Sequence, residues 1–446
     1  MFSQKVRMAA RLTAALAVAS TLALGSGAVQ AQAKEQFIPL TGYWVGPYAA
    51  GGSGFFGGMA DYLIMLNERD GGINGVKFTF EKCETEYNNA RGVECYERLK
   101  NKGGGATLIH PLSTGITYSL IDKATADKIP IISMGYGRTD AADGRVFPYV
   151  FPLITTYWSQ ASVMTKFMAQ KSGGSLKGKK IVLLYHDSAF GKEPIPVLTD
   201  VSKRDGWELV TIAVPHPGNE QGAQWLQIRQ AKPDWVILWG WGVMNPTALK
   251  SAAKVGYPRN KIIGVWWSGA EEDTIPAGDA AKGYIAAGFN VAGTGFPVIS
   301  DIKKYVYGKK KGEMEDPSRI GSIYYNRGVV AGIITAEAVR KAQEKYGKGR
   351  RVTSEQARWG IENLNIDNAM LKKLGATGFM PPLHVTCADH EGSGMVKFQE
   401  WDGTKWKVIT DWMEPERALI RAKIEASAGQ YAKEKGIALR DCSKES

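Results

Sequence analysis

The spacing of apolar residues along the chain alternates between short apolar runs, which predict strands, and helical spacing, which predicts helices. Residues 37–74 begin with a short apolar run, continue through a segment rich in glycine and aromatic residues, and then place apolar residues at helical spacing from Met59 to Leu66. Asp70-Gly71-Gly72 ends that helix. The pattern predicts a strand, a loop and a helix, with the loop beyond the carboxyl end of the strand, where open α/β sheets bind ligands.

The alternation continues to about residue 290. Strands are predicted over 76–82, 107–110 and 130–134, with helices over 90–100 and up to residue 128. The pattern restarts near residue 147, with helices over 156–170, 189–204, 221–231 and 245–255 and strands over 180–185, 208–214, 235–238, 262–266 and 283–287. This order predicts an α/β protein with parallel, doubly wound sheets in two similar halves.

Beyond residue 290 the pattern is mainly helical. Helices are predicted over 298–307, 321–346, 354–363 and 415–435, and a strand pair over 394–399 and 405–411 turns at Asp402-Gly403. Because these segments follow two α/β halves, they predict two lobes joined by several crossovers. The cleft between such lobes is the expected ligand site.

The first 33 residues have the pattern of a secretory signal peptide. Lys5, Arg7 and Arg11 precede a short apolar run that ends near Ala31-Gln32-Ala33. The run is shorter than a membrane-spanning helix requires. We expect cleavage after Ala33, with Ala31 as the alternative, and a soluble exported protein in the periplasm.

The charge of the chain is basic but dispersed. Its 446 residues carry a formal charge of +12, and removal of the three basic leader residues lowers this to about +9. Acidic residues are interleaved with the lysines, and no basic stripe carries aromatic residues. The charge therefore predicts a solvated basic surface rather than nucleic-acid binding. The length favours two domains.

Four cysteines permit two disulfides in an oxidising compartment, in three connectivities. We favour a bond between Cys83 and Cys95, which joins a strand end to the next helix. We also favour a bond between Cys387 and Cys442, which ties down the C-terminal segment.

Gly52-Ser-Gly-Phe-Phe-Gly57 matches the dinucleotide-binding pattern G-x-G-x-x-G, and Glu81 or Glu84 stands where an acid could bind ribose. Nicotinamide cofactors are not expected outside the cell. We therefore favour a second interpretation, in which the glycines let backbone amides approach a small ligand whose anionic end meets the helix N-terminus. No cofactor is expected.

Three other patterns carry chemistry in other proteins. His384-x-x-Cys387-x-x-His390 has metal-ligand spacing but no evident fourth ligand, and a disulfide cysteine between surface histidines explains it as well. His110 stands at a strand end with no nucleophile nearby, and His186-Asp187-Ser188 are adjacent in sequence only. We expect neither a metal site nor an enzyme.

The chain has 13 tryptophans, which is a high count. A single buried aromatic residue usually belongs to the core, but a set beside a cleft favours a pocket for an apolar or aromatic ligand. Six tryptophans stand near predicted loop starts or strand ends: Trp44, Trp158, Trp239, Trp241, Trp266 and Trp267.

Five segments stand in an order that is more specific than any one of them: Pro39-Leu-Thr-Gly with Gly46-Pro47, Leu66-Asn-Glu-Arg-Asp-Gly-Gly-Ile-Asn-Gly75, Pro130-Ile-Ile-Ser133, His186-Asp with Phe190-Gly191, and Trp235-Val-Ile-Leu-Trp-Gly240. Over residues 36–382 the chain thereby resembles the periplasmic solute-binding proteins of branched-chain amino acid type ABC transporters, the leucine/isoleucine/valine-binding group. The resemblance implies the type I periplasmic binding fold, two Rossmann-like lobes with parallel central sheets joined by three crossovers. Lobe I is expected over 34–152 and 290–378, and lobe II over 153–289 and 379–446.

The resemblance also implies where the ligand lies. A ligand carboxylate would be held by the loops after the third and fourth strands, here Ser113-Thr114-Gly115 and Gly135-Tyr136-Gly137. Arg138 could add a bidentate ion pair or face solvent. The aromatic wall positions of the family fall on Phe190, Trp241 and Tyr325.

The chain departs from the family pattern at two places. The first-loop aromatic residue falls at about Gly51, which leaves a space that Trp44 or Tyr48 could fill. The acid that pairs with a ligand ammonium falls in a segment where Glu271 is the candidate. These departures favour aromatic or other hydrophobic carboxylates beside amino acids.

The expected function is a monomeric exported receptor of an ABC importer. It would close on a branched-chain or hydrophobic amino acid, or on an aromatic or hydrophobic carboxylic acid, and deliver that ligand to a membrane permease. The alternatives are a periplasmic sensor subunit with a signalling partner, and a nucleotide- or metal-dependent enzyme.

Overall fold

The computed structural model describes residues 35–445, so the predicted signal peptide lies outside the described residues. The predicted α/β order is present in this part of the chain. Its strands are β1 (Glu35–Gly42), β2 (Lys77–Glu84), β3 (Ile131–Ile132), β4 (Val150–Phe151), β5 (Lys180–His186), β6 (Glu208–Val214), β7 (Trp235–Trp239), β8 (Ile262–Gly264), β9 (Ile285–Gly288), β10 (Asn365–Ile366), β11 (Leu383–His384), β12 (Lys397–Trp401) and β13 (Trp406–Val408).

Helices alternate with the strands and dominate beyond β9. They are α1 (Ala49–Asp70), α2 (Asn89–Leu99), α3 (Thr114–Asp127), α4 (Tyr157–Lys171), α5 (Ala189–Lys192), α6 (Ile195–Asp205), α7 (Gly222–Ala231), α8 (Met244–Lys254), α9 (Glu271–Thr274), α10 (Pro297–Tyr305), α11 (Ile323–Tyr346), α12 (Ser354–Glu362), α13 (Asn368–Lys373) and α14 (Arg417–Lys435). No helix among residues 35–445 combines the length and the apolar character that crossing a bilayer requires.

The first sheet is parallel and built from short pieces. β1 pairs with β2, and β3 pairs with β4. Residues 107–109 lie between these pairs, because the N–H of Thr107 donates to the carbonyl of Phe37 (3.1 Å) and Ile109 forms a parallel bridge to Ile131. We call this sheet, with helices α1–α3 and α10–α13, the first lobe.

The second sheet has seven strands in the order β13-β12-β9-β8-β7-β5-β6. Its pairs from β6 to β9 are parallel, whereas β12 and β13 join as an antiparallel hairpin. We call this sheet, with helices α4–α9, the second lobe. The chain passes between the lobes after β4, after β9 and between β11 and β12, so the predicted fold class is confirmed.

One predicted helix is interrupted and one predicted strand is shorter than its pattern suggests. The helix predicted over 189–204 is broken into α5 and α6 at Pro194, which has no N–H to continue the helical hydrogen bonds. The strand predicted over 262–266 stops at Gly264, because Trp266–Ser268 form a short helical turn.

The glycine-rich segment that we predicted as a loop is the start of α1. Its amides are used by the helix, so neither the dinucleotide interpretation nor the idea of amides facing a ligand is correct. The glycines serve close packing instead. A Cβ atom at Gly58 would lie 2.0 Å from the carbonyl oxygen of Tyr325, and one at Gly328 would lie 1.9 Å from that of Phe55. Larger side chains would separate α1 from α11.

Both favoured disulfides are present. Cys83 bonds to Cys95 with a Cα–Cα distance of 5.7 Å, and Cys387 bonds to Cys442 with a distance of 5.6 Å. The second disulfide holds the segment that follows α14.

Helix α14, which we expected in the second lobe, contacts both lobes. At its start, the N–H of Glu416 donates to Ser162 Oγ (2.9 Å) in α4. Further along, Ser427 Oγ donates to Asp140 Oδ2 (2.8 Å) beside the first sheet. The helix therefore lies across the junction of the two lobes.

Candidate functional site

A small cavity lies between the lobes, at the carboxyl ends of their parallel strands. Its lining consists of aromatic, hydroxyl and aliphatic side chains, and none of the lining residues carries a charge. The lining residues are Tyr87, Leu112, Ser113, Thr114, Tyr136, Tyr157, Phe190, Trp241 and Trp267.

One end of the cavity is polar because helix α3 begins there. Ser113 is the N-cap residue, and its Oγ accepts the N–H of Ile116 (3.3 Å). The N–H groups of Thr114 and Gly115 belong to the first turn, which has no internal acceptor for them. The positive end of the helix dipole and these donors favour an anionic group here.

The other walls are aromatic rings that support one another. The rings of Tyr157 and Phe190 lie 5.5 Å apart, and the indole of Trp241 meets that of Trp267 edge to face at 5.3 Å. Tyr136 closes the set against Trp267 at 6.2 Å. Such walls suit a flat or compact apolar body.

Three groups of hydrogen bonds are among those that join the lobes around the cavity. The carbonyl of Gly135 accepts the indole N–H groups of Trp266 (2.6 Å) and Trp267 (2.7 Å). Glu193 Oε2 accepts the hydroxyl of Thr139 (2.8 Å). The described arrangement is therefore a closed one.

The third group is centred on Tyr48, whose hydroxyl lies 2.8 Å from Nε2 of His186 and 2.5 Å from Nδ1 of His216. Burial and the nearby His216 lower the pKa of His186 to about 4. Tyr48 therefore joins the lobes at the rim of the cavity and does not line it.

Five of the thirteen ligand-binding residues expected from sequence line the cavity: Ser113, Thr114, Tyr136, Phe190 and Trp241. Gly115 borders an adjoining open cleft of about 1060 Å³. Gly137 lies just behind the lining, where its N–H donates to Thr114 Oγ1 (3.3 Å). Gly51 also lies behind it, because a Cβ atom there would meet Trp241 at 2.2 Å. Trp241, not Trp44 or Tyr48, fills the space that Gly51 leaves.

Two other expected residues contact groups elsewhere in the first lobe. The ring of Trp44 packs on Phe56 at 5.6 Å, and its backbone N–H donates to Glu84 (2.7 Å). The hydroxyl of Tyr325 donates to Asp61 Oδ2 (2.7 Å) of α1. Arg138 is held by Asp140 rather than by the cavity.

Glu271 also turns away from the cavity. Its Oε2 accepts the N–H of Ile323 (2.8 Å) at the start of α11. Its neighbours Glu272 and Asp273 accept the hydroxyls of Ser322 (3.0 Å) and Tyr324 (2.7 Å). We call Glu271–Asp273 the acid triplet. Burial and the adjacent Glu272 raise the pKa of Glu271 to about 8, and burial raises that of Asp273 to about 7.

Four lining residues are not among the thirteen expected ligand-binding residues: Tyr87, Leu112, Tyr157 and Trp267. Tyr87 and Leu112 have positive φ angles of 59° and 47°. Residues of these types rarely adopt such angles, so the sequence gives no signal for them. Trp267 did stand in the tryptophan set at the strand ends. Tyr157 is the first residue of α4, and its place directly after the first crossover is the signal in the sequence that points to it.

The histidines and the cysteine of the possible metal and catalytic motifs have other roles in the structure. Cys387 is disulfide-bonded, so it has no thiolate to offer a metal. His390 is buried between the carbonyl of Val150 (2.8 Å) and Glu362 (3.2 Å). Burial lowers the pKa of His110 to about 3. His186 Nδ1 lies 2.9 Å from Ser188 Oγ, but Asp187 pairs with Lys192 and does not orient the imidazole.

Comparison with known proteins assigns the family. The model of a family described as periplasmic binding protein matches residues 35–405. The chain belongs to the periplasmic binding protein family. The predicted resemblance to the leucine/isoleucine/valine-binding group is thereby confirmed, and the family implies a periplasmic location and a small-molecule ligand.

Solved structures agree with this periplasmic binding protein fold. An ABC transporter permease from the Pseudomonas fluorescens group is 46% identical, with a TM-score of 0.86 over 92% of this chain and 99% of that one. A branched-chain amino acid ABC transporter from Thermus thermophilus with bound valine is 24% identical, with a TM-score of 0.74 over 87% and 98%. A solute-binding protein from R. palustris in complex with benzoate is 19% identical, with a TM-score of 0.66 over 86% and 97%. The last two share the fold alone. No curated protein matches the chain.

Proposed function

We propose that this periplasmic binding protein is the exported receptor of an ABC importer. Its two lobes, joined by crossings near residues 152 and 289 and between β11 and β12, close on a small hydrophobic or aromatic monocarboxylate. The receptor then delivers that ligand to a membrane permease. The single observation that carries this proposal is a closed cavity with aromatic walls and one polar end at the start of α3.

The lining also supports a choice between acids and amino acids. A buried ammonium group needs an anionic or hydrogen-bonding partner, and burying it unpaired is costly. None of the lining residues is a carboxylate. Glu271, the sequence candidate for that partner, accepts the N–H of Ile323 instead. An acid without an ammonium group therefore suits the cavity better than the amino acid of the same shape.

Matched pairs of ligands test this proposal by thermal unfolding. Leucine is compared with 4-methylpentanoate, phenylalanine with 3-phenylpropanoate, and benzoate with benzyl alcohol. A ligand at 100 times its Kd adds about 2.7 kcal/mol to stability, which for a chain of this size raises the midpoint by about 3 °C. We expect a rise with at least one acid and none with its amino acid or alcohol partner. A rise only with leucine or phenylalanine would restore the amino acid alternative, and no rise with any compound would overturn the carboxylate function.

The polar end can be tested with Ser113→Ala. This change removes a hydroxyl that can donate to a carboxylate, and we expect binding of the responding acid to weaken by about 1–3 kcal/mol, measured by calorimetry. It also removes the N-cap of α3, which costs about 1 kcal/mol of stability. Thr353→Ala is the matched control, because it removes the N-cap of α12 away from the cavity. Equal affinities of both variants and the wild type would place the anion elsewhere.

A further inference from the structure

Gly51 occupies a position where a helix would favour another residue. It lies in the first turn of α1, is buried, and does not have a positive φ angle. Alanine at such a position would favour the helix by about 1 kcal/mol. A Cβ atom there, however, would lie 2.2 Å from Cη2 and 2.8 Å from Cζ2 of Trp241. The glycine is therefore required by the indole and not by the backbone.

The contact joins the two lobes. Gly51 belongs to α1 of the first lobe, whereas Trp241 follows β7 of the second. The next residues hold the same junction, since the N–H of Val243 donates to the carbonyl of Pro47 (3.2 Å). The indole also lies parallel to the ring of Tyr48, with centroids 6.3 Å apart. The contact of Trp241 with Gly51 is therefore one between the lobes.

The same indole faces the ligand cavity. Trp241 is 3% exposed and lines the cavity. Its Nε1–H is buried and has no acceptor among the described residues. Trp241 thus contacts Gly51 with one edge of its indole and lines the ligand cavity with another part of the ring.

We propose that Gly51 and Trp241 form a closure-dependent specificity element. The inference rests on the proposed function. The space beside Gly51, which has no side chain and which we call the notch, receives the outer edge of the Trp241 indole as the lobes close. In that position the indole forms the wall of the cavity that limits the size of the ligand. A methyl group at position 51 displaces the indole toward the cavity or holds the lobes apart, and either result weakens ligand binding.

Affinity measurements on a set of variants test this element, with 4-methylpentanoate, 3-phenylpropanoate and benzoate as probes. Gly51→Ala should raise the Kd of the bound acid at least tenfold. Gly429→Ala is the matched control, because it adds the same methyl group to helix α14, where no atom lies within 4 Å of the new Cβ. Its Kd should equal that of the wild type.

Trp241→Phe provides the second arm, because phenylalanine lacks the ring edge that enters the notch. In the Trp241→Phe background, Gly51→Ala should change the Kd less than twofold, and this pair also guards against a folding defect of Gly51→Ala alone. If Gly51→Ala binds as tightly as the wild type, or costs as much in the Trp241→Phe background as beside the native indole, the specificity element is overturned and the carboxylate function stands. If the wild type binds none of the three acids, the carboxylate function itself fails.

Discussion

Replacing both Cys387 and Cys442 by serine should lower the free energy of unfolding by about 4 kcal/mol, the value expected when a disulfide closes a loop of this length. The bond spans 55 residues and joins the segment after α14 to the third crossover. Urea denaturation under non-reducing conditions measures the change as a lower midpoint. Stability falls because the unfolded chain without the disulfide has a higher conformational entropy.

The second disulfide provides the control. Cys83 and Cys95 are only 12 residues apart, so their replacement by serine should cost less, about 3 kcal/mol. A Cys387/Cys442 variant with the wild-type midpoint would contradict the prediction. In that case the ion pair of Arg440 with Glu362 (2.6 Å) would be sufficient to anchor the C-terminal segment.

Raising the pH from 6 to 8 should destabilise the protein through two members of the acid triplet, Glu271 and Asp273. The pKa of Glu271 is about 8 in the folded protein, against 4.5 ordinarily, and that of Asp273 is about 7, against 3.8. Between those values the unfolded chain has lost the proton and the folded chain has kept it. Stability is therefore full below pH 4. It falls by about 1.4 kcal/mol per pH unit for each group as the pH rises toward the folded pKa, and the loss is complete above that pKa.

Glu271→Gln isolates one of the two groups. Glutamine keeps an acceptor for the N–H of Ile323 and does not ionise. The free energy of unfolding of the variant, measured in urea, should therefore fall less steeply between pH 6 and 8 than that of the wild type. Glu344→Gln is the control, because Glu344 is exposed near the end of α11. Parallel profiles for Glu271→Gln and the wild type would mean that Glu271 is ionised in the folded protein at pH 6.

Much of the fold could be predicted because periodicity is a local property. The alternation of buried strands and amphipathic helices predicted the order of the elements. Ser113 was placed at the site by the resemblance to the family, and the structure shows it as the N-cap residue of α3. The glycine-rich start of α1 was assigned to a loop, since its glycines weaken the helical pattern. What makes them helical is the packing of α1 against α11, which a local pattern does not contain.

The candidate site could be predicted only in part, for the same reason. Its lining comes from both lobes and from segments between Tyr87 and Trp267. Sequence reasoning placed the loops at the carboxyl ends of the strands but could not give the direction of each side chain. Tyr325 belongs to the right helix and contacts Asp61 instead of the cavity.

By itself, the sequence determined the α/β class, the family, the order of the elements and the disulfide partners that its spacing favoured. These depend on local periodicity, on motifs and on short separations along the chain. The tertiary structure alone decided that Trp241 fills the space at Gly51 and that Glu271 binds the start of α11 rather than facing the cavity. Both outcomes depend on contacts between the lobes, and such contacts exist only once the folded lobes bring distant segments together.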